Sequence, residues 1–414
     1  MLEKRQPILV GQAVKRVLDR VTLLTTETIP LEESYGRILR QNIVATHFVP
    51  PFDRSPYDGF AIRSEDTKGA SGNHRVLFKL VDHIGAGTVS AKVLGRHEAV
   101  RIMTGAPLPE GADAVVMFEQ TVEDDDTFTI RKPFDRYENV SLQGEDVKEG
   151  EPVLETGTFI NPGTVALLAT FGHATVKVAK LPSVGILVTG SELIDVSEPL
   201  APGKIRNSNG PMIAAQLKRM GVPYHMYRFT VDDLERNKQE VRQALDEHDV
   251  LITTGGVSVG DFDFMPAIYK ELEAEVLFNK VAMRPGSVTT VAYAKGKLLF
   301  GLSGNPSACF TGFELFVRPA LRKMQGARML YLPHTKAVLG EDFSKANPFT
   351  RFIRASYNGH TVTPAGFNKS NAVAAIARGN ALIVLPGGSR GYAEGMEVDV
   401  LILGQEDGVA EWTL

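Results

Sequence analysis

The sequence predicts a multidomain protein of the α/β plus β class. It predicts a doubly wound, mostly parallel sheet domain with an inserted β domain, a helical/β linker domain and a C-terminal β-barrel-like domain. Three observations predict this class. The chain has 414 residues, and a domain usually takes roughly 100–200 residues. Strand, loop and helix patterns alternate in the stretch 181–326. Short apolar runs broken by glycine, proline and aspartate dominate on either side of that stretch.

The first helical patterns belong to the expected linker domain. Gly11 to Val21 places apolar residues on one face and predicts a helix, and Pro30 to Leu39 predicts a second short helix. Residues 149–180 predict a strand pair and one helix, with Asn161 as N-cap, proline at the first helical position and a glycine that ends the helix. The domain boundaries we expect are 1–48 plus 149–180 for the linker domain, 49–148 for the inserted β domain, 181–326 for the α/β domain and 327–414 for the C-terminal β domain.

The inserted β domain is predicted from short alternating runs. Strands are expected at Arg75 to Leu80, Val100 to Met103 and Ala114 to Gln120. The acidic run Glu123 to Asp126 lies between two apolar runs and is typical of a hairpin tip.

From Leu181 onward, alternation of strands and helices predicts a parallel sheet with helices on both faces. The expected strands are Val184–Val188, Tyr224–Phe229, Val250–Thr253, Val276–Val281, Thr289–Ala294 and Leu298–Gly301. The expected helices are Gly210–Met220, Leu234–Glu247, Pro266–Leu272 and Ser307–Met324. Strands return after Gly326, most clearly at Ala381–Leu385 and Val398–Leu403, and predict the terminal β domain.

Bulk composition excludes several classes of protein. The net charge of −4 is spread along the chain, so there is no basic stripe of a nucleic-acid-binding protein. No apolar run approaches the roughly 18 residues of a membrane-spanning helix, and Met1–Gln12 lacks the features of a signal peptide. The single cysteine, Cys309, fits a reducing compartment. We favour a buried apolar role for it over a nucleophilic one, and we expect a cytoplasmic protein.

Three glycine-rich loops follow apolar strands and predict an anion site at the carboxyl edge of the sheet. We call Val188–Leu193 the first loop, Thr253–Asp263 the second loop and Gly301–Ser307 the third loop. Glycine lets main-chain N–H groups approach a phosphate without a Cβ in the way. The alternative is three tight turns without a ligand. The residues expected to contact the anion are Gly190, Ser191, Gly255, Gly256, Ser258, Gly260, Gly304 and Asn305.

Neither common nucleotide fingerprint is present. The loops lack the Walker lysine pattern, and no Gly-x-Gly-x-x-Gly opens the first strand–helix unit. ATP hydrolysis by a P-loop and hydride transfer from a dinucleotide are therefore both disfavoured.

Carboxylates on the same loops suggest a divalent cation. Mg²⁺ uses one or two carboxylates together with substrate phosphate oxygens. We favour Glu192 and Asp263 as its ligands over a capping role, whereas for Asp261 and Asp233 capping of a helix start is the preferred interpretation.

Cations follow in the segment Lys280 to Gly286. If this segment is a strand, its period of two aims Lys280 and Arg284 in one direction, which suits an anion. The alternative is an edge strand whose charges are simply solvated.

Taken together, the motifs resemble the molybdopterin molybdenumtransferase family, to which the gephyrin E domain belongs. Five segments carry the resemblance over nearly the whole chain: Asp53–Ala61 (the Ser-x-x-Asp-Gly-Tyr/Phe-Ala box), Arg101–Ala106 (Met-Thr-Gly-Ala), Gly144–Asp146 (Gly-Glu-Asp), Thr189–Leu193 and Gly255–Gly260. Such proteins insert molybdate into adenylylated molybdopterin and release molybdenum cofactor and AMP. The resemblance implies these substrates, Mg²⁺, a four-domain homodimer with a cleft shared between subunits, and contact with other cofactor-biosynthesis proteins.

Residue by residue, the resemblance places a set of polar and basic side chains at or near the site. They are Asp58, Thr104, Asp146, Glu192, Asp232, Asp263, Lys280, Arg284, Pro306, Arg351 and Ser370. In the last domain, either Arg351 or Arg354 is the counterpart of the family arginine. Of the set, Asp58, Thr104, Asp146, Glu192 and Asp263 are the expected catalytic residues, and Asp58 and Asp146 are the candidates for orienting water or handling protons.

Two positions depart from the family pattern. Ser303 replaces the proline of Leu-Pro-Gly-Asn-Pro, which frees φ and is expected to loosen the third loop. Arg284 replaces a lysine and presents a planar fork in place of a point charge. Three alternative functions stay open on sequence alone: the adenylyltransferase of the preceding step, a scaffold on the same fold, and a paralogue with tungstate preference or weakened activity.

Overall fold

The computed structural model describes residues 6–228, 234–255, 265–345 and 348–404. They form two compact units. One unit contains the described residues up to Gln41, Thr156–Val165 and those from Thr175 onward, and the other contains 42–155 and Ala166–Ala174. We call them the main unit and the inserted unit. None of the described helices is both long and apolar enough to cross a membrane.

The inserted unit is built on a six-stranded sheet. Its strands, in spatial order, are Ala114–Met117, Gly59–Ile62, Glu98–Ile102, Val76–Ile84, Thr127–Ile130 and Thr121–Asp124. Only Val76–Ile84 and Glu98–Ile102 pair in parallel. The rings of Phe60 and Phe128 stack at 4.0 Å within its core. The expected hairpin tip is confirmed, because Thr121–Asp124 pairs antiparallel with Thr127–Ile130.

Short elements occur in both units, and one helix has residues in each of them. Ile43–Val44 pairs antiparallel with Pro152–Leu154. The helix Pro162–Thr170 begins as expected, since the Asn161 side chain accepts a hydrogen bond from Thr164 N at 2.9 Å. Single 3₁₀ turns lie at Leu31–Glu33, Ser64–Thr67 and Phe118–Gln120.

The prediction of a helix at Pro30–Leu39 is wrong. The strand Thr26–Pro30 pairs antiparallel with Thr175–Ala179, and only the 3₁₀ turn Leu31–Glu33 follows it. Ile38 and Leu39 are fully buried and make single bridges to other extended segments. Pairing with segments more than a hundred residues away therefore outweighs the local helical spacing of apolar residues.

The main unit contains the predicted doubly wound sheet, with six strands. In spatial order they are Tyr224–Arg228, Val184–Val188, Val250–Thr254, Lys297–Leu302, Thr290–Ala294 and Glu275–Phe278. The first four strands run parallel, and Thr290–Ala294 pairs antiparallel both with Lys297–Leu302 and with Glu275–Phe278. Separate apolar cores cover its two faces. The helices of the main unit are Val10–Asp19, Asn209–Arg219, Leu234–Glu247, Met265–Glu271, Pro306–Gly312, Arg318–Met324 and Ala374–Arg378.

Two expected elements of the main unit differ in detail. The predicted helix Ser307–Met324 is interrupted by a π-helical segment, Phe313–Val317. The predicted strand Val276–Val281 ends at Phe278. Met283 N donates a hydrogen bond to Val281 O at 2.8 Å, which breaks the alternation of side chains before the two-residue strand Met283–Arg284. The prediction that Lys280 and Arg284 share one side of a strand is therefore wrong.

The C-terminal strands form a closed five-stranded barrel. His334–Leu339, Thr350–Tyr357, Thr361–Pro364, Ala381–Leu385 and Glu397–Ile402 pair in a ring. Apolar side chains such as Ile353, Ile383 and Val400 fill its core. Met283–Arg284 adds to it in parallel with Thr350–Arg351, and the pair Leu193–Ile194 and Ile205–Arg206 lies apart from it. The predicted fold class is thus confirmed.

Candidate functional site

The three glycine-rich loops begin side by side at the carboxyl edge of the parallel sheet. Val188, Thr254 and Leu302 are register partners on neighbouring strands. Thr189 N donates to Thr254 O at 3.1 Å, and Gly255 N donates to Leu302 O at 3.3 Å. The predicted convergence of the loops is therefore a consequence of strand register.

Gly255 is required where the first and second loops approach each other. Its φ is +82°, in the left-handed region that disfavours side chains. A Cβ at this position would lie 2.4 Å from Thr189 O. Only glycine satisfies both conditions, so the backbones of the two loops can nearly touch.

A cavity of about 320 Å³ lies among these loops, and we call it the loop cleft. From the predicted set, it is lined by Glu192, Gly255, Gly304, Asn305 and Pro306. Gly190 lies next to the exposed Glu192 carboxylate, since a Cβ on Gly190 would meet its Oε2 at 2.7 Å. The small residues leave room for a phosphate-bearing ligand beside the backbone, and Arg206, which also lines the cleft, supplies positive charge, whereas Glu192 would need a cation between its carboxylate and a phosphate.

Asn209 lines the loop cleft and was missed by sequence reasoning. Its side chain is buried, and Nδ2 donates to Thr254 Oγ1 at 2.8 Å and to Gly304 O at 2.8 Å. It therefore connects the second loop to the third. The available signal was its place at the start of the helix Asn209–Arg219, beside the sheet edge where ligands bind.

The third loop is held together by Ser303, the residue expected to loosen it. Ser303 Oγ accepts a hydrogen bond from Asn305 N at 3.2 Å, and Ser303 O accepts one from Thr254 Oγ1 at 3.3 Å. The hydroxyl thus supplies a local turn contact of the kind that serine often makes. The hydroxyl bond partly offsets the cost in backbone freedom of losing a proline, whereas a proline would also supply the carbonyl that Thr254 bonds.

A second cavity, of about 380 Å³, is lined by cations, and we call it the cationic cavity. Its basic residues are Arg284, Lys345, Arg351, Arg354 and Lys369, and Ser370 also lines it. No aspartate or glutamate is found among the described residues that line it. Asn371 lines both cavities, so the cationic cavity adjoins the loop cleft. This surplus of positive charge suits a small oxyanion.

Both candidate arginines of the last domain reach the cationic cavity. Arg354 is only 1% exposed, and it donates from Nη2 to Lys369 O at 3.3 Å while its Nε has no partner among the described residues. Burial lowers the pKa of Arg354 to about 10. Burial, and then the charge of Arg284, lower the pKa of Arg351, whose guanidinium lies 5.2 Å from the Phe343 ring centroid. Two desolvated guanidinium groups favour the binding of an anion.

Lys280 and Ser191 are less clearly placed in the site. Lys280 is half-buried and does not line the cationic cavity. Its carbonyl accepts a hydrogen bond from Ile8 N. Ser191 is exposed, and its carbonyl accepts a bond from Lys204 Nζ at 2.6 Å. Lys345, Lys369 and Asn371 were also missed, because basic and amide residues in loops carry no periodic signal.

In the inserted unit, the sequence-predicted pair Asp58 and Thr104 is brought together. Asp58 Oδ1 accepts hydrogen bonds from Thr104 N at 2.7 Å and from Thr104 Oγ1 at 2.8 Å. These two bonds lower the pKa of Asp58. Gly59 must be glycine, since a Cβ there would meet Val116 O at 2.0 Å. Asp146 is exposed and donates its N–H to Val49 O.

Several predicted residues lie outside the described residues. They are Asp232, Asp233, Gly256, Ser258, Gly260, Asp261 and Asp263. Among the described ranges, no group of three or more histidine, cysteine, aspartate or glutamate side chains could hold a metal ion. Cys309 is buried beneath the loops, and burial raises its pKa to about 12, which supports the apolar role over the nucleophilic one.

The fold and cavities define a class: an anion-binding enzyme built on a doubly wound sheet with accessory β domains. Family models match three stretches of the chain. The MoeA N-terminal region (domain I and II) matches residues 8–172, a probable molybdopterin binding domain matches 185–323, and the MoeA C-terminal region (domain IV) matches 336–403. The chain belongs to the molybdopterin molybdenumtransferase family.

Individual relatives support this membership. A molybdopterin molybdenumtransferase from Staphylococcus aureus is 60% identical over 406 residues, which cover 97% of each chain. One from Staphylococcus epidermidis is 58% identical over 405 residues, again 97% of each chain. The solved molybdopterin biosynthesis protein MoeA from Pyrococcus horikoshii OT3 superposes with a TM-score of 0.83 at 32% identity, covering 96% of this chain and 100% of that one.

Proposed function

We propose that this protein inserts molybdate into adenylylated molybdopterin, forming molybdenum cofactor and AMP. The observation that carries the proposal is the pair of adjoining cavities, one lined by glycine-rich loops and the other by five cations. A substrate with phosphates and a flat pterin needs the first kind of cavity, and a small dianion needs the second. Family membership supplies the identity of the two substrates.

We assign phosphate binding to the loop cleft. Gly255, Gly304 and Asn305 line the cleft, Gly190 lies beside Glu192, and Pro306 begins the helix that follows. The N–H groups of Gly255 and Asn305 are bonded to Leu302 O and Ser303 Oγ, so we assign these two residues to shaping the loops around the phosphate. The undescribed part of the second loop adds Gly256, Ser258 and Gly260 to the proposal. Donors fixed before the substrate arrives need no reorganisation during the reaction, which lowers its barrier.

The described residues of the loop cleft supply part of the oxygen ligands that Mg²⁺ would need. The described part of the cleft supplies one carboxylate, Glu192, and Mg²⁺ commonly needs only one or two protein carboxylates beside substrate phosphates. We propose Glu192 and Asp263 as the protein ligands of the ion, and Asp232 as a residue that binds the substrate. The ion would neutralise charge on the phosphate groups when bound.

We assign molybdate to the cationic cavity. Arg354 and Arg351 can present planar forks to its oxygens, Arg284 adds a third guanidinium, and Ser370 adds a hydroxyl. Lys280 stays in the proposal as a neighbouring cation. Because the cavity adjoins the loop cleft through Asn371, an oxyanion held here lies beside the substrate that receives it.

In the inserted unit, Asp58 is proposed to accept a proton or to orient water. The two hydrogen bonds lower its pKa, which makes the ionised carboxylate a weaker base, so orienting water through hydrogen bonds is the role that we favour over accepting a proton. Thr104 holds its carboxylate through two hydrogen bonds, and Asp146 is the second candidate. We further propose the four-domain division, a homodimer and a cytoplasmic location, with transient contact to other cofactor-biosynthesis proteins.

The proposal is tested by incubating the protein with adenylylated molybdopterin, molybdate and Mg²⁺. We expect AMP release that requires molybdate and that fails when the divalent cation is chelated. Glu192→Gln and Asp263→Asn are expected to lose turnover, whereas Glu198→Gln, an exposed carboxylate further along the chain, serves as the matched control. Full turnover by Glu192→Gln and Asp263→Asn would contradict the assignment of the carboxylates.

A further inference from the structure

The orientation of the Asn209 amide is fixed by its partners. Gly304 O can only accept, so the atom that faces it must be Nδ2. Thr254 Oγ1 donates its own hydrogen to Ser303 O and accepts the second hydrogen of the Asn209 amide. Both amide hydrogens are thus used between loops, one on the second loop and one on the third.

The same orientation leaves the acceptor of Asn209 without a partner. The residue is 7% exposed, and no hydrogen bond to its Oδ1 is found among the described residues. A buried acceptor without a donor lowers stability, so such groups are rare and call for an explanation. A side chain selected for stability alone would be expected to satisfy its acceptor or to be apolar.

We propose that Asn209 is a positioning residue that sets the spacing of the second and third loops for a phosphate-bearing substrate. This inference rests on the proposed function, because the loops are the phosphate site of that proposal. Thr254 is the last residue of its strand and precedes Gly255, and Gly304 lies in the middle of the third loop. One amide that bridges both points fixes the distance between the backbones of the second and third loops where they line the cleft.

The test compares Asn209→Leu with wild type, because leucine has a similar volume but cannot bridge the loops. We expect kcat/KM for adenylylated molybdopterin to fall on the order of 10- to 100-fold, through lower kcat as well as higher KM. The dissociation constant for AMP, measured by calorimetry on the folded variant, is expected to rise. The denaturation midpoint is expected to fall as well, because Gly304 O and Thr254 Oγ1 lose their buried donor. Unchanged kcat/KM and AMP affinity in a folded variant would overturn the inference.

A matched control is Asn380→Leu in the barrel. The Asn380 amide also ties two backbone groups, since it accepts from Tyr357 N and donates to Tyr357 O. It lies outside the lining of both cavities. We expect this variant to lose stability without a change in kcat/KM per folded molecule, and a loss equal to that of Asn209→Leu would contradict a specific role for Asn209.

A double-mutant cycle keeps the inference falsifiable if Asn209→Leu proves unstable. Thr254→Val removes the hydroxyl that receives one Asn209 hydrogen, and Thr254→Ser retains it. We expect Thr254→Ser to retain most of the activity that Thr254→Val loses. We expect kcat/KM of the double variant Asn209→Leu/Thr254→Val to be at most about twofold lower than that of Asn209→Leu. If the losses in kcat/KM of the two single variants multiply in the double variant, the inference that Asn209 acts through Thr254 is refuted. If the wild-type protein itself neither turns over nor binds AMP, the proposed function fails instead.

Discussion

Replacing Arg354 by methionine is expected to stabilise the ligand-free protein and to weaken oxyanion binding. Arg354 is almost completely buried, lines the cationic cavity and has no carboxylate beside it among the described residues that line that cavity. A buried charge without a counter-ion is unfavourable, and an apolar residue of similar length removes that penalty. The same charge is available to an anion that enters the cavity.

The magnitude follows from the pKa. Burial lowers the pKa of Arg354 from 12.5 to about 10, which corresponds to roughly 3 kcal/mol of charge desolvation at about 1.4 kcal/mol per pH unit. This is the upper bound of the stabilisation. The penalty is complete below about pH 10 and is relieved as the pH rises towards 12.5, so the advantage of the variant shrinks in that range. Removing one partner of a buried charge pair weakens binding by about 2–5 kcal/mol, or roughly 30- to 4,000-fold.

Two measurements test this prediction. Denaturant unfolding at neutral pH should give an unchanged or higher midpoint for Arg354→Met, and calorimetry should give a much weaker affinity for molybdate. Arg378→Met, which removes an exposed arginine outside both cavities, should change neither quantity appreciably. A variant that unfolds more easily and still binds molybdate normally would refute the reasoning.

Three further predictions follow from single contacts. Thr104→Val should raise the pKa of Asp58 towards its ordinary value of 3.8, because it removes the hydrogen bond from the Thr104 hydroxyl. Thr104→Ser keeps that hydroxyl, so an NMR titration in which this variant also shows the raised pKa would contradict the prediction. Gly255→Ala should lose activity and stability, because a side chain at this positive φ costs about 1–2 kcal/mol and its Cβ would also clash with Thr189 O. Gly359 has φ +98° and open space around it, so Gly359→Ala should lose only the first amount. Equal denaturation midpoints for the two variants would refute the clash. Cys309 should resist thiol reagents in the native protein at pH 8 and react after unfolding, because burial raises its pKa to about 12; rapid native labelling would show that it is accessible.

The sequence predicted the fold best where the local pattern of strands and helices was enough to define the sheet. Strand–loop–helix alternation predicted the parallel sheet, and strand ends predicted where the glycine-rich loops meet. Thr26–Pro30 pairs with the distant strand Thr175–Ala179, and a local sequence pattern cannot predict such a pairing. At Lys280 the period of two assumed a continuous strand, whereas a turn between Val281 and Met283 interrupts it.

The sequence singled out the loops that line the loop cleft, but not all of the basic residues that line the cationic cavity. Arg351 and Arg354 are both basic residues of one strand, and only the closed barrel shows that both reach the same cavity. Asn209 was not singled out from the sequence, since its role depends on contacts with Thr254 and Gly304, which are distant in sequence. Long-range contacts of single polar side chains leave no periodic trace, and this is why they were missed.

The most direct test of the central claim is the stoichiometry of the reaction. Purified protein, adenylylated molybdopterin, molybdate and Mg²⁺ should yield AMP and molybdenum-containing cofactor in equal amounts, and omission of molybdate should suppress both. Consumption of ATP with free molybdopterin, or AMP release that does not depend on molybdate, would contradict the proposed reaction.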